Sequence, residues 1–389
     1  MKTLEIIFWI SILLIFYTYI GYGIVLYLLV LLKRIFKGRK MHTESDYEPE
    51  VTLLVAAYNE KDYVAQKVKN SQSLNYPPEK VHQVWVTDGS DDGTPNLLKE
   101  YPGITVLHQP ERRGKIAAMN RAVEYVKTPI AIFSDANTDL GKESIQHIVS
   151  MFSNPEVGCV SGEKRIRQSD SEAAASAGEG LYWKYESTLK KWDAELYSVV
   201  GAAGELFAVR TELFQPVEPD TLLDDFMISL RIAMQGYTIQ YNPEAYAIET
   251  ASANVKEELK RKIRIAAGGI QSVVRLAPLL NIFKYGLLSF QYISHRVLRW
   301  TITPLMLLLA LVTNALLLST GGVYMYLLIA QGVFYSAALL GWYLENRKIK
   351  LKILFVPYYF FMMNYAVYLG FARYIKKQQN VNWERAKRG

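Results

Sequence analysis

The residues best suited to chemistry stand at the ends of apolar runs. The stretch IAIFSDANTDL (130–140) passes from four unbroken apolar residues straight into Ser134, Asp135, Ala136 and Asn137. A short continuous apolar run reads as a buried, parallel strand. In an open α/β sheet, ligands bind just beyond the carboxyl ends of such strands. Asp135 and Asn137 are thus placed to hold a divalent cation, Mg2+ or Mn2+, which prefers carboxylate, carbonyl and water oxygens. Asp139, two residues on, offers a further oxygen. Asx residues at strand ends also form turns, so this pair alone leaves both readings open.

Two more strand ends carry acids. One closes in Ala57-Tyr58-Asn59-Glu60, the other in Thr87-Asp88-Gly89-Ser90-Asp91-Asp92-Gly93-Thr94. Such carboxylates can bind a ribose, a base or a metal. Asp88 and Asp92 can equally form an Asp-Gly-Ser turn and a helix N-cap. Arg112-Arg113-Gly114-Lys115 opens a helix whose N-terminus favours phosphate, so Lys115 can meet a diphosphate. Further on, Leu222-Leu223-Asp224-Asp225-Phe226 opens an amphipathic helix ending near Gly236. Neighbouring helical residues point about 100° apart, so one of the two carboxylates faces a pocket. Asp224 can cap the helix while Asp225 favours its dipole. Gly201-Ala202-Ala203-Gly204 reads as a tight approach leading into a strand at 205–209.

The elements that must position these groups alternate in type. Strands are predicted at 51–57, 83–87, 104–107 and from 130, with helices over 61–74, 94–101 and 115–126 between them. This alternation implies right-handed crossovers and a parallel α/β sheet covered on both faces. Neither GxGxxG nor GxxxxGK[ST] occurs, so a dinucleotide fingerprint and a P-loop are both excluded. A single cysteine, Cys159, excludes an internal disulfide and cysteine-rich zinc sites, which is compatible with a reducing compartment. The five histidines (His42, His82, His108, His147, His295) have no paired metal-ligand spacing.

Half of the 389 residues are apolar, clustered towards the two ends of the chain. Residues 6–32 carry no charge and exceed the roughly 20 needed to cross a bilayer. Lys33, Arg34, Lys37, Arg39 and Lys40 follow, so the positive-inside rule places the next segment in the cytosol. Residues 276–300 mix apolar side chains with Lys284, His295, Arg296 and Arg299, as suits a helix lying in the interface. Spans are predicted at 300–319, 323–344 and 353–372, the last interrupted by Pro357. Arg347, Lys348, Lys350 and Lys352 would lie inside. Three full crossings would leave the basic tail (373–389) outside, so either the last segment is re-entrant or interfacial, or the charge rule is broken. The formal charge of +7 sits largely beside apolar segments. It suits lipid headgroups, and no nucleic-acid motif occurs. Four regions result: 1–40, an N-terminal span with its basic flank; 41–254, a soluble domain; 255–299, basic and interfacial helices; and 300–389, C-terminal spans and tail.

AAYNE (56–60), VTDGSDDGT (86–94), RRGKIAAMN (112–120) and FSDAN (133–137), in this order and spacing, resemble the inverting family 2 glycosyltransferases of the GT-A fold. The resemblance implies a nucleotide diphosphate sugar as donor, usually UDP-linked, contacted by Glu60 and Asp88 with Lys115 on the phosphates. It implies that Asp135 and Asn137 form an Asp-x-Asp-like site for Mg2+ or Mn2+. Gly201 and Gly204 then lie beneath the acceptor, and the Asp224-Asp225 pair supplies the general base through Asp225. RKIRI (261–265) is similar to the Gln-x-x-Arg-Trp motif of membrane polysaccharide synthases. Arg264 is kept, Arg261 replaces the glutamine and Ile265 the tryptophan. Both arginines can meet the diphosphate, or alternatively lipid headgroups. Trp183 and Trp192 could offer a surface for stacking a sugar, or simply pack.

The sequence thus reads as a multi-pass enzyme of the plasma or inner membrane with a cytosolic catalytic domain. Its partners would be a nucleotide sugar, a glycan or lipid-linked acceptor, the bilayer and an accessory membrane subunit. One alternative is a single-addition transferase acting on a polyprenyl-phosphate lipid. Another, of a different class, is a catalytically silent membrane subunit that binds nucleotide sugars.

Overall fold

The computed structural model describes residues 1–38, 47–167, 176–250, 255–347, 349 and 351–377. Arg39, Lys40, His42, Lys348, Lys350 and the tail from 378 onward lie outside the described residues, as do the expected boundaries at 40/41 and 254/255. In chain order the elements are α1 (Lys2–Phe16), α2 (Tyr22–Lys37), β1 (Val51–Ala57), α3 (Lys61–Gln72), β2 (Val81–Asp88), α4 (Thr94–Lys99) and β3 (Ile104–Gln109). Then come α5 (Lys115–Val123), β4 (Ile130–Asp135), β5 (Asp139–Leu140), α6 (Ser144–Met151), β6 (Val157–Ile166), α7 (Ser176–Leu196) and β7 (Leu206–Arg210). The chain continues with α8 (Asp224–Met234), β8 (Thr238–Glu249), α9 (Val255–Arg275), α10 (Ile282–Tyr292) and α11 (Leu298–Trp300). It closes with α12 (Ile302–Leu316), α13 (Val323–Asn346) and α14 (Lys352–Ile375).

These elements form two compact units. One comprises Met1–Ile35, Gln168–Trp192 and Ala253–Gln378; the other is built from Phe36–Arg167 and Asp193–Ser252.

The second unit holds one eight-stranded sheet in the order β3-β2-β1-β4-β7-β6-β8-β5. Every residue of β1 is buried, as expected of a strand covered on both faces. Alternation sends Val51, Leu53, Val55 and Ala57 into a core shared with Val64 and Val68 of α3, Ile130 and Ile132 of β4, and Ile145 and Phe152 of α6. Each large aliphatic side chain so buried stabilises the fold by about 1.5–3 kcal/mol. Registers fix which strand ends share an edge. Ala56 pairs with Asp135, Ala57 with Thr87, and Asp88 with Gln109, all in parallel ladders. The sheet departs from strand-helix alternation beyond β4: β7 runs antiparallel to β4, pairing Leu206 with Ser134. That reversal brings Gly204 and Glu205 to the edge where β1, β2 and β4 end. β6 and β8 pair in parallel with irregularities near Gly158 and Gly162.

Among the described residues, three helices are long and apolar enough to cross a membrane: Lys2–Phe36, Val323–Asn346 and Lys352–Ile375. Ile282–Trp300 and Ile302–Leu316 together could make a fourth, bent by 53° at the break. The segment expected to lie flat in the interface is thus continuous with a candidate span. α9 approaches α14 at small residues, where a Cβ on Gly370 would lie 2.7 Å from Ala266 Cβ and 2.8 Å from Ala267 N. A buried carboxylate, Glu186 on α7, pairs with Arg299, with His295 (3.3 Å) and with Arg296 (3.7 Å). Trp192 packs on Tyr27 at 5.0 Å between ring centroids, and Trp183 lies 5.8 Å from the Lys262 ammonium. Arg261 pairs with Glu258 at 3.3 Å, and Arg264 is partly exposed on the same helix.

Candidate active site

The site in the second unit is built where β1, β2 and β4 end. Asp88, the last residue of β2, is buried and accepts the backbone N–H of Arg113 (3.0 Å) and of Gly114 (2.6 Å). The carboxylate thereby ties the loop before α5 to the strand end, which places Lys115 at the helix start. Gly89 permits this close approach: its φ is +65°, and a Cβ there would fall 2.7 Å from Arg112 Cβ. The Arg112 guanidinium lies 3.8 Å over the Tyr58 ring, within cation–π range.

Glu60 is buried at the start of α3, and its N–H donates to Thr94 Oγ1 at 3.1 Å. Asp92 acts locally. Its carboxylate accepts the Thr94 N–H (2.9 Å), the Thr94 hydroxyl and the Lys61 N–H (3.0 Å). Burial alone would raise the Asp92 carboxyl, but these donors hold it below its usual value. These contacts are those of the turn expected at Asp92. Asn59, at φ 52°, adopts a left-handed conformation and donates through Nδ2 to Asp91 Oδ1 at 2.8 Å.

Lys115 is the hub. Its Nζ donates to Asp135 Oδ1 at 2.9 Å and stands 3.4 Å from Asp224 Oδ2. Burial would lower this ammonium, but Asp135, Asp224 and Asp225 together raise it above the usual lysine value. A cavity beside it is lined by Lys115, Met119, Phe133, Ser134, Asp135 and Gly204, among others.

Asp224 and Asp225 open α8 with different surroundings. Asp224 is buried and faces Lys115. Asp225 turns to Gly204, where a Cβ would lie 3.0 Å from Oδ2; its Oδ1 accepts the Phe226 N–H at 2.8 Å. Burial, then the like charge of Asp224, pushes the Asp225 carboxyl up to about 7. Such a group is poised to take a proton near neutral pH. Gly201, at φ +89°, packs against the Phe226 ring, its Cβ position only 2.3 Å from Cδ2. It fixes the loop ahead of Gly204.

Asp135 and Asn137 flank a tight turn, both partly exposed. Asp139 is engaged by Gln66 (Nε2 to Oδ2, 2.7 Å) and by Arg167. Among the described residues, no group of three or more His, Cys, Asp or Glu side chains is placed to hold a metal. One carboxylate and one amide at the rim of a cavity fit a hard cation whose other ligands are phosphate oxygens and water. Asp88, Lys115, Asp135, Asp224, Asp225, Gly201 and Gly204 thus converge within this unit. Arg261 and Arg264 belong to the other unit.

Two buried lysines stand out that motif spacing does not mark. Lys164 pairs with Glu205 (2.5 Å) and with Glu249. Lys67 is 1% exposed, and burial, against the pull of Asp135 and Asp139, drives its ammonium down to about 7. A signal for Lys67 exists: Val64, Lys67, Val68 and Ser71 are the buried positions of α3, spaced i, i+3, i+4, i+7. A lysine on the apolar stripe of a helix marks a buried charge.

The chain is similar to known proteins. The model of a family described as glycosyltransferase like family 2 matches residues 49–268. A poly-beta-1,6-N-acetyl-D-glucosamine synthase of Staphylococcus aureus is 26% identical over 237 residues, 58% of this chain and 56% of that protein. A beta-monoglucosyldiacylglycerol synthase of Nostoc sp. is 28% identical over 223 residues, 52% of this chain and 46% of that one. The chain spans about half the length of the curated relatives it matches. Among solved structures, a mannosyltransferase from Pyrobaculum calidifontis, in complex with GDP-Man and Mn2+, superposes with a TM-score of 0.69 at 22% identity. That match covers 96% of this chain and 99% of the other, and it establishes the GT-A fold. With its family match spanning more than half the residues, and with a GT-A sheet beneath the converging acids, the chain belongs to glycosyltransferase family 2.

Proposed function

We propose that this protein is a membrane-bound, inverting, metal-dependent glycosyltransferase. It transfers a sugar from a nucleotide diphosphate donor, UDP-linked, to a glycan or lipid-linked acceptor at the cytosolic face, in polysaccharide synthesis. The observation that carries the reading is the Lys115 ammonium lodged between Asp135 and Asp224, with Asp225 next along α8. A cation held there meets a departing diphosphate, and a base held one residue away meets the incoming hydroxyl.

In this reading Glu60 and Asp88 hold the nucleoside, Asp88 chiefly by fixing the loop that carries Arg112 and Lys115. Asp135 and Asn137 would hold Mg2+ or Mn2+, whose contribution is to neutralise charge on the leaving diphosphate. Lys115 adds a fixed positive charge in a buried site, where it acts more strongly than in water. Asp225 accepts the acceptor's hydroxyl proton as that oxygen attacks the anomeric carbon opposite the leaving group.

A lipid-linked acceptor is favoured alongside a growing glycan because the similar proteins include both a polymer synthase and a glycolipid synthase. Membranes containing the protein, screened with radiolabelled UDP- and GDP-sugars, test the proposal. A labelled ladder or long polymer supports a synthase, and one added sugar on a lipid supports the single-addition transferase. No turnover with any donor, with nucleotide binding retained, would support the silent binding subunit instead.

A further inference from the structure

Lys67 is buried on α3, and its Nζ donates to Ser134 Oγ (2.7 Å), to the Thr138 carbonyl (2.8 Å) and to Thr138 Oγ1 (3.3 Å). These acceptors are the two ends of a single turn, and Asp135 and Asn137 lie between them. The turn is closed internally as well, since Thr138 Oγ1 donates to the Asp135 carbonyl at 2.9 Å. Asn70, about one helical turn on, donates through Nδ2 to the Leu140 carbonyl (2.9 Å) and accepts the Leu140 N–H at Oδ1 (2.8 Å). Gln66 reaches Asp139. One face of α3 therefore grips the whole 134–140 segment.

Packing alone does not explain a lysine here. Burying an amine costs free energy that a methionine of similar volume would not incur. The apolar contacts of α3 are already made by Val64 and Val68. What Lys67 supplies, and an apolar residue would not, is a three-way tie across the turn. We infer that Lys67 is a positioning residue, holding the turn in the shape that presents Asp135 and Asn137 to the donor's metal–diphosphate group. This inference rests on the functional reading above.

Lys67→Met keeps the volume and removes the tie. The test compares wild type and variant in Mn2+ binding, followed by electron paramagnetic resonance with UDP present, and in UDP binding with the metal chelated. Loss of a group behind a metal ligand typically costs 10-fold to 100-fold in metal affinity. The expected result is a loss of Mn2+ affinity of about 10-fold or more, with metal-free UDP binding unchanged and donor KM raised more than kcat is lowered. Unchanged Mn2+ affinity, or an equal loss of metal-free UDP binding, overturns the inference. Should Lys67→Met not fold, Ser134→Ala and Thr138→Val remove acceptors of the same tie. Each must weaken Mn2+ binding several-fold without moving metal-free UDP binding, or the inference fails. A wild type that turns over no donor refutes the functional reading instead, and a wild type that turns over beside an unaffected Lys67→Met refutes only the role of Lys67.

Discussion

Gly204 lies against the carboxylate of Asp225, its Cβ position 3.0 Å from Oδ2 and 3.4 Å from Cγ. The antiparallel turn into β7 and the first turn of α8 meet at this point. A methyl group there makes the carboxylate give by a few tenths of an ångström. Misplacement of a reacting group by about 1 Å can cost 100-fold in rate. Gly204→Ala, with a smaller shift than that, should lower kcat by roughly 10-fold, with donor KM and thermal midpoint little changed. Steady-state kinetics beside a melting curve would check it, and an unaltered kcat would detach Asp225 from the chemistry.

Asp225 predicts an acid limb. A base must be ionised to accept a proton, and burial with the adjacent Asp224 charge raises its carboxyl to about 7. Activity should accordingly fall as pH drops through neutrality. The fold responds with the opposite sign: a raised folded-state value contributes stability below the ordinary 3.8 that is lost as pH rises through about 7. Asp224→Asn removes the like charge, so its acid limb in a kcat/KM profile should move to lower pH. Asp225→Asn should abolish turnover yet melt a few degrees higher than wild type at pH 8, where the buried charge is otherwise present.

How far residues announced this arrangement depended on how local their signals were. β1 and β4 were legible because each is an unbroken apolar run closing in polar residues, and the run of 51–57 matches the strand residue for residue. The motifs of Asp88, Asp135 and Asp225 are each contiguous and so are readable in the sequence, and the fold brings these residues to one edge. β6 and β8 were not assigned, and the reversal at β7 was invisible: pairing of Ser134 with Leu206 spans 72 residues and leaves no periodicity behind. Asp92 is ambiguous in the sequence because a turn carboxylate and a binding carboxylate use the same residue types in the same place. Lys67 was passed over because a lysine among polar helical residues looks solvated until the stripe of Val64 and Val68 is counted with it.

Removing the charge of Lys115 should affect both fold and chemistry. Its ammonium is the counter-charge to Asp135 and Asp224 in a buried setting. Deleting one partner of a buried ion pair costs about 3–5 kcal/mol, and losing a fixed cation at a leaving group costs about 100-fold to 1,000-fold in kcat. Lys115→Met should show both losses by calorimetry and turnover assay. Lys115→Arg should retain most stability but recover rate only in part, since a rigid planar fork replaces a compact ammonium and places its charge differently.

The first unit makes its own prediction at Gly370. A Cβ on this α14 residue would meet Ala266 Cβ at 2.7 Å and the backbone nitrogen of Ala267 at 2.8 Å. Neither neighbour is the movable end of a side chain, so the two helices must separate to admit any larger residue. Overpacking of this kind costs about 1–3 kcal/mol or more. Where lipid tails are as apolar as leucine, close approach at small residues supplies much of the association between helices. Gly370→Val should therefore lower the melting temperature in detergent, whereas Gly332→Val on α13, whose Cβ position meets nothing within 4 Å, should not. Equal melting of the two variants would mean that α9 and α14 are held by contacts other than this crossing.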